Sequence, residues 1–306
     1  QQRQNNNSPR NKIIIFGEIL ILLGALIYYV STKINIKSLV GSGMSPQSKF
    51  AAILNKKLPT PSPSPVASPS PSPTPRPLTF DEMNTRFGPC VRLPVLYYHH
   101  VQSQEAATAA KQTGLTVYTD VFQNQMQYLK SNGYTTATMT DLVNFFDTGV
   151  PIPPKSVLIT FDDGYRDNFT DAYGILKSMG FKATIFLATG LIDNPGYIHW
   201  SDVSQMTDGI LFANHTWSHK SVLTQSSVMQ KEIATADTQL SDRSLNNPKT
   251  FAYPYGPVNA TAENYLNSLG YKVAFTTTPG NILCKKHRLT LPRIRIGNTP
   301  LANHGF

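Results

Sequence analysis

Two adjacent carboxylates are the first groups in this sequence that could carry chemistry. Asp162 and Asp163 follow the apolar run SVLIT in the segment TFDDGY, and Gly164 comes directly after them. Two like charges held this close raise each other's pKa unless a cation compensates them. The pair therefore indicates a metal ion, with one carboxylate bound and the other kept for proton transfer. An ordinary turn is the alternative interpretation, since Asp and Gly are common turn residues.

Two histidines form the second group. His215 and His219 lie four residues apart in NHTWSH, just beyond the apolar run GILFA, and at helical spacing both imidazoles face one side. Two imidazoles and one carboxylate leave open positions on a divalent ion, as in a catalytic rather than a structural zinc site. Zn²⁺ is the default expectation, although Co²⁺ and Ni²⁺ suit the same ligands. The alternative is a pair of solvent-exposed or helix-capping histidines.

These groups need a scaffold that brings strand ends together. After a proline-rich stretch, roughly 230 residues alternate short β-rich runs with helical patterns, which predicts a parallel α/β fold with enough repeats for a barrel. Active sites of such folds lie at the carboxyl ends of the strands. The predicted strands include 93–98, 156–161, 183–188, 250–253 and 289–296, and the predicted helices begin near Asp120, end at Gly180 and begin at Ser226.

The chain resembles the polysaccharide deacetylase family, carbohydrate esterase family 4, which carries the NodB homology domain. The resemblance covers about residues 93–296 and rests on TFDDGY, NHTWSH and FAYPYG (251–256), which occur in that order, each at a strand end. It implies a distorted (β/α) barrel and hydrolytic removal of acetyl groups from N-acetylated sugars. On the family pattern, Asp162 is the general base and the metal ligands are Asp163, His215 and His219. The backbone N–H of Tyr255 then helps to stabilise the oxyanion.

The sequence departs from the family at two positions. Many members have an arginine after the Phe of the third motif, where it orients the base, but here that residue is Ala252. Arg293 in LPRIRI is our candidate for holding Asp162, because a guanidinium binds a carboxylate bidentately. Its alternative role is a surface cation. The late histidine that often serves as general acid is also missing from LTLPRIRIGN, and the other late histidines, His287 and His304, lie outside the pattern.

A branch of the family offers a different general acid. The deacetylases of poly-β-1,6-N-acetylglucosamine have a Tyr-His pair on the first strand, and LYYHHV resembles it. The resemblance makes His99 the expected acid and His100 a weaker candidate. Alternatively, His99 only packs at the strand end or bonds a neighbouring carboxylate. Trp200 could line a sugar subsite, since aromatic faces suit sugar rings, or could be a core residue, and we do not assign it to the site.

The composition limits the function classes. The 306-residue chain has a net charge of +9, yet no run of Lys and Arg interleaved with aromatics predicts nucleic-acid binding. Its two cysteines, Cys90 and Cys284, are too few for a four-ligand zinc site and form either a disulfide or two unreactive thiols. We favour the disulfide, because the two residues flank the catalytic domain and the context below is extracytoplasmic.

The sequence of the first 78 residues predicts a membrane tether. The run IIIFGEILILLGALIYYV is about as long as a transmembrane helix, with only Glu18 charged. A cleaved signal peptide is the alternative, but no small-x-small site follows Val30. The Pro/Ser-rich stretch is expected to be an extended spacer, or alternatively a simple disordered tail. The predicted order is a polar segment (1–12), a transmembrane anchor (13–31), a juxtamembrane segment (32–58), a linker (59–78) and the catalytic domain (79–306).

Together these features predict a single-pass cell-membrane protein with an extracytoplasmic catalytic domain. The expected reaction is metal-dependent N-deacetylation of an N-acetylglucosamine-containing polysaccharide, either peptidoglycan or an exopolysaccharide. Two alternatives stay open at this point. One is an O-acetyl esterase acting on a xylan-like polymer, and the other is a catalytically silent sugar-binding protein of the cell surface.

Overall fold

The structure is a computed structural model that describes residues 76–306. The predicted polar segment, anchor and juxtamembrane segment, and the linker up to residue 75, lie outside the described residues. Within residues 76–306, none of the helices combines the length and the apolar character needed to cross a membrane.

The strands of the described region are short, with two to seven residues each. They are β1 (Cys90–Arg92), β2 (Val95–Tyr98), β3 (His100–Gln102), β4 (Thr116–Tyr118), β5 (Thr135–Thr136), β6 (Ser156–Phe161), β7 (Ala183–Leu187), β8 (Ile210–Asn214), β9 (Thr250–Ala252), β10 (Val273–Pro279), β11 (Ile282–Cys284) and β12 (Leu291–Arg295).

Helices connect most of these strands. They are α1 (Phe80–Phe87), α2 (Gln104–Ala109), α3 (Thr119–Ser131), α4 (Met139–Thr148), α5 (Gly174–Met179), α6 (Trp200–Met206), α7 (Ser226–Ser241) and α8 (Ala260–Ser268). A π-helical segment, Asn168–Tyr173, leads directly into α5. The predicted end of α5 at Gly180 is confirmed, because this glycine adopts a left-handed φ of 71° and caps the helix.

Seven parallel strands close into a barrel in the order β2, β12, β10, β9, β8, β7, β6 and back to β2. The barrel closes where β2 pairs with β6, with Leu96 opposite Ile159. The two-residue strand β5 pairs with the first residues of β6. The ladder between β10 and β12 is irregular, with a register shift between Phe275 and Pro279. The predicted distorted α/β barrel is therefore confirmed for the described residues.

The alternation of side chains along a strand explains how the barrel positions polar groups. Along β6, Val157, Ile159 and Phe161 belong to a core cluster shared with helix α3, whereas Leu158 belongs to a second cluster. That second cluster contains residues from many barrel strands, including Phe186 and Phe275, and it fills the barrel interior. The period of two then carries Thr160 and Asp162 onto the interior face.

The predicted disulfide is confirmed. Cys90 and Cys284 are bonded and sit opposite each other where β1 pairs antiparallel with β11. Both cysteines are buried, and the bridge joins residues 194 positions apart. The disulfide therefore links β1, the first strand of the described region, covalently to β11, which precedes the last strand.

Candidate active site

The polar groups predicted from the sequence gather at the carboxyl ends of the barrel strands. Asp162 and Asp163 follow β6, His215 follows β8, and Tyr255 lies just beyond β9. Two further predicted residues come from other positions at this mouth: His99 directly follows β2, and Arg293 is the third residue of β12.

One carboxylate and two imidazoles form a cluster with the composition of a metal site. Oδ1 of Asp163 lies 3.3 Å from Nε2 of His215 and 3.0 Å from Nε2 of His219. One ligand atom from each residue falls within 4.8 Å of the others. Oδ1 of Asp163 is buried without a well-formed hydrogen bond, which is the situation a bound cation would relieve. The donor set of two nitrogens and one oxygen therefore fits a divalent ion.

The tautomer of His215 is set by a backbone carbonyl. Nδ1 of His215 lies 2.8 Å from the carbonyl oxygen of Ala252, and because a carbonyl only accepts, Nδ1 must carry the proton. Nε2 then presents its lone pair to the cluster. Metal-binding histidines commonly donate the N–H of the ring nitrogen that does not bind the metal to a carbonyl or carboxylate oxygen, as Nδ1 of His215 does here. Ala252, whose side chain offers no polar group, thus contributes its backbone to the site.

Burial and charge act in opposite directions on Asp163. Burial alone would raise the pKa of this carboxyl, but the adjacent imidazoles of His215 and His219 outweigh it and hold the pKa far below its ordinary range. The carboxylate is therefore ionised at neutral pH, the form in which it can bind a cation. Asp163 also has a left-handed φ of 73°, which turns the chain sharply between the two aspartates.

The helical spacing proposed for the two histidines is wrong. Residues 215–220 form an irregular loop, in which Thr216 and His219 have left-handed φ values of 67° and 59°. Both imidazoles still converge on Asp163, because hydrogen bonds from the middle of the loop to helix α7 hold its conformation. The backbone N–H and hydroxyl of Ser218 donate to the Glu232 carboxylate at 2.7 and 2.6 Å.

Glu232 is a functional candidate that our sequence reasoning missed. It lies on α7, where the buried positions Met229, Glu232, Ile233, Ala236 and Leu240 form one face of the helix. A carboxylate within such an apolar stripe was the available signal, since a buried acid requires partners. The backbone carbonyl of Glu232 also accepts the N–H of Trp217. One residue therefore holds the centre of the loop that carries both histidines.

Asp162 is held by Arg293. Nη1 and Nη2 of Arg293 donate to the two carboxylate oxygens at 2.8 and 2.7 Å, and Nε donates to the carbonyl of Thr276 at 3.0 Å. The guanidinium is fully buried and lies over the ring of Tyr97, 4.4 Å from its centroid. Burial would raise the pKa of Asp162, but Arg293 lowers it below its ordinary value. The surface-cation alternative for Arg293 is therefore excluded by its position.

His99 and His100 point to different surroundings. Burial lowers the pKa of His99 below its ordinary value, while the nearby carboxylates of Asp162 and Asp163 oppose that shift. His100 instead places Nδ1 2.6 Å from Oδ2 of Asp167 and stacks on the ring of Tyr165. The bend at His99 between β2 and β3 therefore separates the two rings, with His99 near the two aspartates and His100 against Asp167.

The segment after the acidic pair fixes the backbone around these histidines. Asn168 donates from its amide to the carbonyl of His99 at 2.7 Å, and Oδ1 of Asp167 accepts the N–H of Val101 at 2.9 Å. Together with the contact between Asp167 and His100, these bonds connect the end of β2 to the loop that follows β6. The relative position of His99 and Asp162 therefore depends on side chains that our sequence analysis did not identify.

Tyr255 has the backbone expected of an anion-binding turn. Its φ is 64°, and among the described residues its N–H has no hydrogen-bond acceptor. Its ring is 68% exposed and lies 4.7 Å from the ring of His219. Gly256 follows with a φ of 92°, and a side chain there would overlap Thr277. The turn thus leaves the backbone N–H of Tyr255 free and places its exposed aromatic ring against His219 of the cluster.

The remaining aromatic and histidine candidates lie elsewhere. Trp200 packs against the first core cluster, and the guanidinium of Arg243 covers its ring at 4.0 Å, so its core role is favoured over a sugar subsite. The ring of His287 contacts the ring of Phe87 in a tilted arrangement, and His304 contacts Thr299. These three positions do not belong to the cluster.

Comparisons with known proteins agree with the motifs. A profile of the polysaccharide deacetylase family matches residues 149–274. The polysaccharide deacetylase-like protein YxkH of Bacillus subtilis is 30% identical over 207 residues, which cover 67% of this chain and 71% of that protein. The poly-β-1,6-N-acetyl-D-glucosamine N-deacetylase of Escherichia coli K12 is 25% identical over 249 residues, which cover 66% of this chain but only 36% of that enzyme.

A solved structure shares the fold. The Streptococcus pyogenes deacetylase PplD, determined in complex with acetate, superposes with a TM-score of 0.63 at 30% sequence identity. The match covers 68% of this chain and 94% of that one. The barrel described above is therefore that of a deacetylase of known structure.

Proposed function

The chain belongs to the polysaccharide deacetylase family, and on that premise we propose that it hydrolyses N-acetyl groups of an N-acetylglucosamine polysaccharide with the help of a divalent metal ion. The observation that carries the proposal is the convergence of Asp163, His215 and His219 beside Asp162, with Arg293 holding the latter. Relatives named as poly-β-1,6-N-acetyl-D-glucosamine N-deacetylases support this substrate class. The intact set of residues disfavours a silent sugar-binding protein.

The metal would be held by Asp163, His215 and His219, and Zn²⁺, Co²⁺ or Ni²⁺ suits these ligands. Such an ion lowers the pKa of water towards neutrality and polarises an amide carbonyl. The orientation of His215 by the Ala252 carbonyl and of the loop by Glu232 prepares the ligands before any ion binds.

Asp162 is the general base of this proposal. Its pKa is lowered, so it is ionised and can accept the proton of the attacking water. Arg293 uses both carboxylate oxygens and thereby fixes the orientation of the group. The oxyanion that forms at the acetyl carbon needs donors, and the free N–H of Tyr255 supplies one.

His99 is the general acid of this proposal. The leaving amine must receive a proton, and His99 lies among Asp162, Asp163 and His215 at the barrel mouth. Because burial lowers its pKa, the protonated ring releases its proton readily, but the proton must arrive during the reaction cycle. The proton that Asp162 takes from water is the nearest source.

The cellular setting also belongs to the proposal. A membrane anchor at 13–31 and a Pro/Ser-rich linker at 59–78 would place the domain outside the membrane, on a tether. In that position peptidoglycan and exported polysaccharides are the accessible substrates.

Acetate release by the purified full chain would test the proposed activity. The substrates are peptidoglycan, chitin oligomers and poly-β-1,6-N-acetylglucosamine, each with and without a chelator. We expect acetate from at least one polymer, loss of activity with chelator and recovery when Zn²⁺ is restored. The variant His219→Ala should lose bound metal, whereas the matched control His304→Ala should keep metal and activity. A metal-loaded chain inactive on all three polymers would overturn the proposal.

A further inference from the structure

A cavity of about 530 Å³ lies beside the metal cluster but contains none of its residues. Its walls come from the start of α2, from the segment that follows the acidic pair and from the loop at 195–197. Ser103 and Ala106 on one side and Gly196 on the other are exposed, so the cavity opens to solvent. Its volume falls within the range of small-ligand sites.

His100 lies in the wall of this cavity with an unused ring nitrogen. The residue is 3% exposed, and Nε2 is buried without a hydrogen-bond partner among the described residues. Asp167 accepts from Nδ1 at 2.6 Å, which makes Nε2 the acceptor of the neutral ring. A buried acceptor without a partner is costly unless a ligand or water reaches it.

An aromatic wall joins the cavity to the metal cluster. The rings of Tyr165 and Tyr197 stack with centroids 5.2 Å apart, and His100 stacks on the other side of Tyr165 at 3.6 Å. Tyr165 lies two residues after Asp163 and its hydroxyl adjoins that carboxylate. The turn after Asp163 is also hydrogen-bonded to the segment that follows the wall at 195–197, because the N–H of Ile198 donates to the Gly164 carbonyl at 3.0 Å. A chain bound at the cluster therefore continues past the edge of Tyr165 and over Tyr197 into the cavity.

Neutral amides form one part of the lining, which also contains the charged side chains of Arg166, Asp167 and Asp171. Nε2 of Gln102 donates to Oε1 of Gln112 at 3.1 Å and to Oγ1 of Thr116 at 3.1 Å. This arrangement leaves Oε1 of Gln102 as an acceptor and Nε2 of Gln112 as a donor for a ligand. Aromatic faces combined with neutral, directional polar groups suit the apolar faces and hydroxyls of a sugar ring. The charged lining residues already have partners. Arg166 forms an ion pair with Asp202, and the Asp167 carboxylate accepts from His100 and Val101. The Asp171 carboxylate accepts from the hydroxyls of Thr119 and Thr170.

We propose that this cavity is a subsite for an uncharged N-acetylglucosamine unit next to the unit that is deacetylated. Nε2 of His100 accepts a sugar hydroxyl, and Gln102 and Gln112 bond to the ring substituents. Tyr197, which covers the outer face of Tyr165, supplies the aromatic contact. The inference rests on the proposed function, because it presumes a polymeric sugar substrate at the cluster. It assigns this chain a means of selecting polymer over isolated sugar.

A steric block of the cavity would test the subsite. Ala106→Trp fills the opening from an exposed position of α2, and Ala109→Trp is the matched control on the same helix but outside the cavity. Turnover is measured with a β-1,6-linked N-acetylglucosamine pentamer and with 4-nitrophenyl acetate, which has no sugar. The ratio of pentamer to ester kcat/KM should fall about tenfold in Ala106→Trp, equivalent to one lost set of sugar contacts, and stay constant in Ala109→Trp. Gln112→Ala should lower the same ratio without adding bulk.

A binding measurement separates this inference from the proposed activity. Pentamer binding to the metal-loaded Asp162→Asn chain, measured by calorimetry, should weaken when Ala106→Trp is added. Binding that is sensitive to the block without any wild-type deacetylation would support the subsite and refute the proposed function. Efficient pentamer turnover that is insensitive to the block and to Gln112→Ala would refute the subsite alone. Equal losses on pentamer and ester would also refute it, because they would show a general distortion of the site.

Discussion

The ion pair between Arg293 and Asp162 leads to the most quantitative prediction. Arg293→Met keeps the length and much of the volume of the side chain but removes the guanidinium. Asp162 would then be a buried carboxylate without its two donors, and Tyr97 would lose the cation over its ring. Removing one partner of a buried pair typically costs about 3–5 kcal/mol, because the other charge is left uncompensated. We expect a loss of unfolding free energy in this range, together with loss of deacetylation.

A double-mutant cycle tests whether the pair itself causes the loss. Asp162→Asn removes the carboxylate charge, and Asp162→Asn combined with Arg293→Met contains neither charge. If the interaction dominates, the double variant should be more stable than the sum of the single losses predicts, with a coupling free energy of about 2–3 kcal/mol. Urea denaturation of all four proteins in the presence of chelator supplies the values. Losses that add to within about 0.5 kcal/mol would refute the reasoning.

The same pair fixes the sign of a pH effect. Burial raises the pKa of Asp162, whereas Arg293, together with the imidazoles of His215 and His99, lowers it. The net folded value lies below the unfolded one of about 3.9. Stabilisation by the pair is therefore present above about pH 4 and is lost as the pH falls through the lower folded pKa. In Arg293→Met the largest cause that lowers the pKa is removed, while burial, which favours the neutral form of the carboxyl, remains. The stability difference between wild type and Arg293→Met should consequently narrow on acidification, and a difference that widens would contradict the assignment.

Three further predictions concern the surroundings of the cluster. His99→Ala should abolish turnover of the polymer while leaving bound metal unchanged by elemental analysis, and loss of metal would show that His99 is not the acid. Glu232→Ala should weaken metal affinity about 10–100-fold in a competition titration, because the loop around Ser218 loses its acceptor, and Glu232→Gln should weaken it less. Unchanged affinity in Glu232→Ala would contradict this role. Cys90→Ser should lower the unfolding free energy by about 2–5 kcal/mol under non-reducing conditions, and an equal loss under reducing conditions would exclude the disulfide as its cause.

Short stretches of sequence were sufficient to predict the strands and helices whose formation depends on neighbouring residues. Continuous apolar runs predicted buried parallel strands, and the acidic pair was predicted at the end of one of them, where Asp162 and Asp163 follow β6. Helix α3 begins at Thr119, close to the prediction, and Phe122, Met126 and Leu129 occupy its buried face. Strand limits were less accurate, since β12 spans Leu291–Arg295 where the apolar run predicted 289–296. Ends of strands depend on which partner continues the ladder, and that partner is distant in sequence.

The loop that carries the two histidines shows where spacing alone failed. A separation of four residues fits one turn of helix, but the turn here depends on left-handed residues and on Glu232 of α7. The Ser218 side chain bonds a carboxylate 14 positions away, so no local pattern specifies the conformation. The prediction that the two imidazoles converge was therefore correct, but its reason was wrong. A loop held by Glu232, and not a helix, brings them together.

By itself the sequence determined which chemistry is available and at which strand ends it appears, because residue type and strand alternation are properties of short segments. Closure of the barrel decided the rest. It brings Arg293 to Asp162 across 131 positions, turns His99 towards the two aspartates and His100 towards Asp167, and forms the cavity lined by Tyr165 and Tyr197. These contacts join segments that are far apart along the chain, so they exist only once β2 has paired with both β6 and β12.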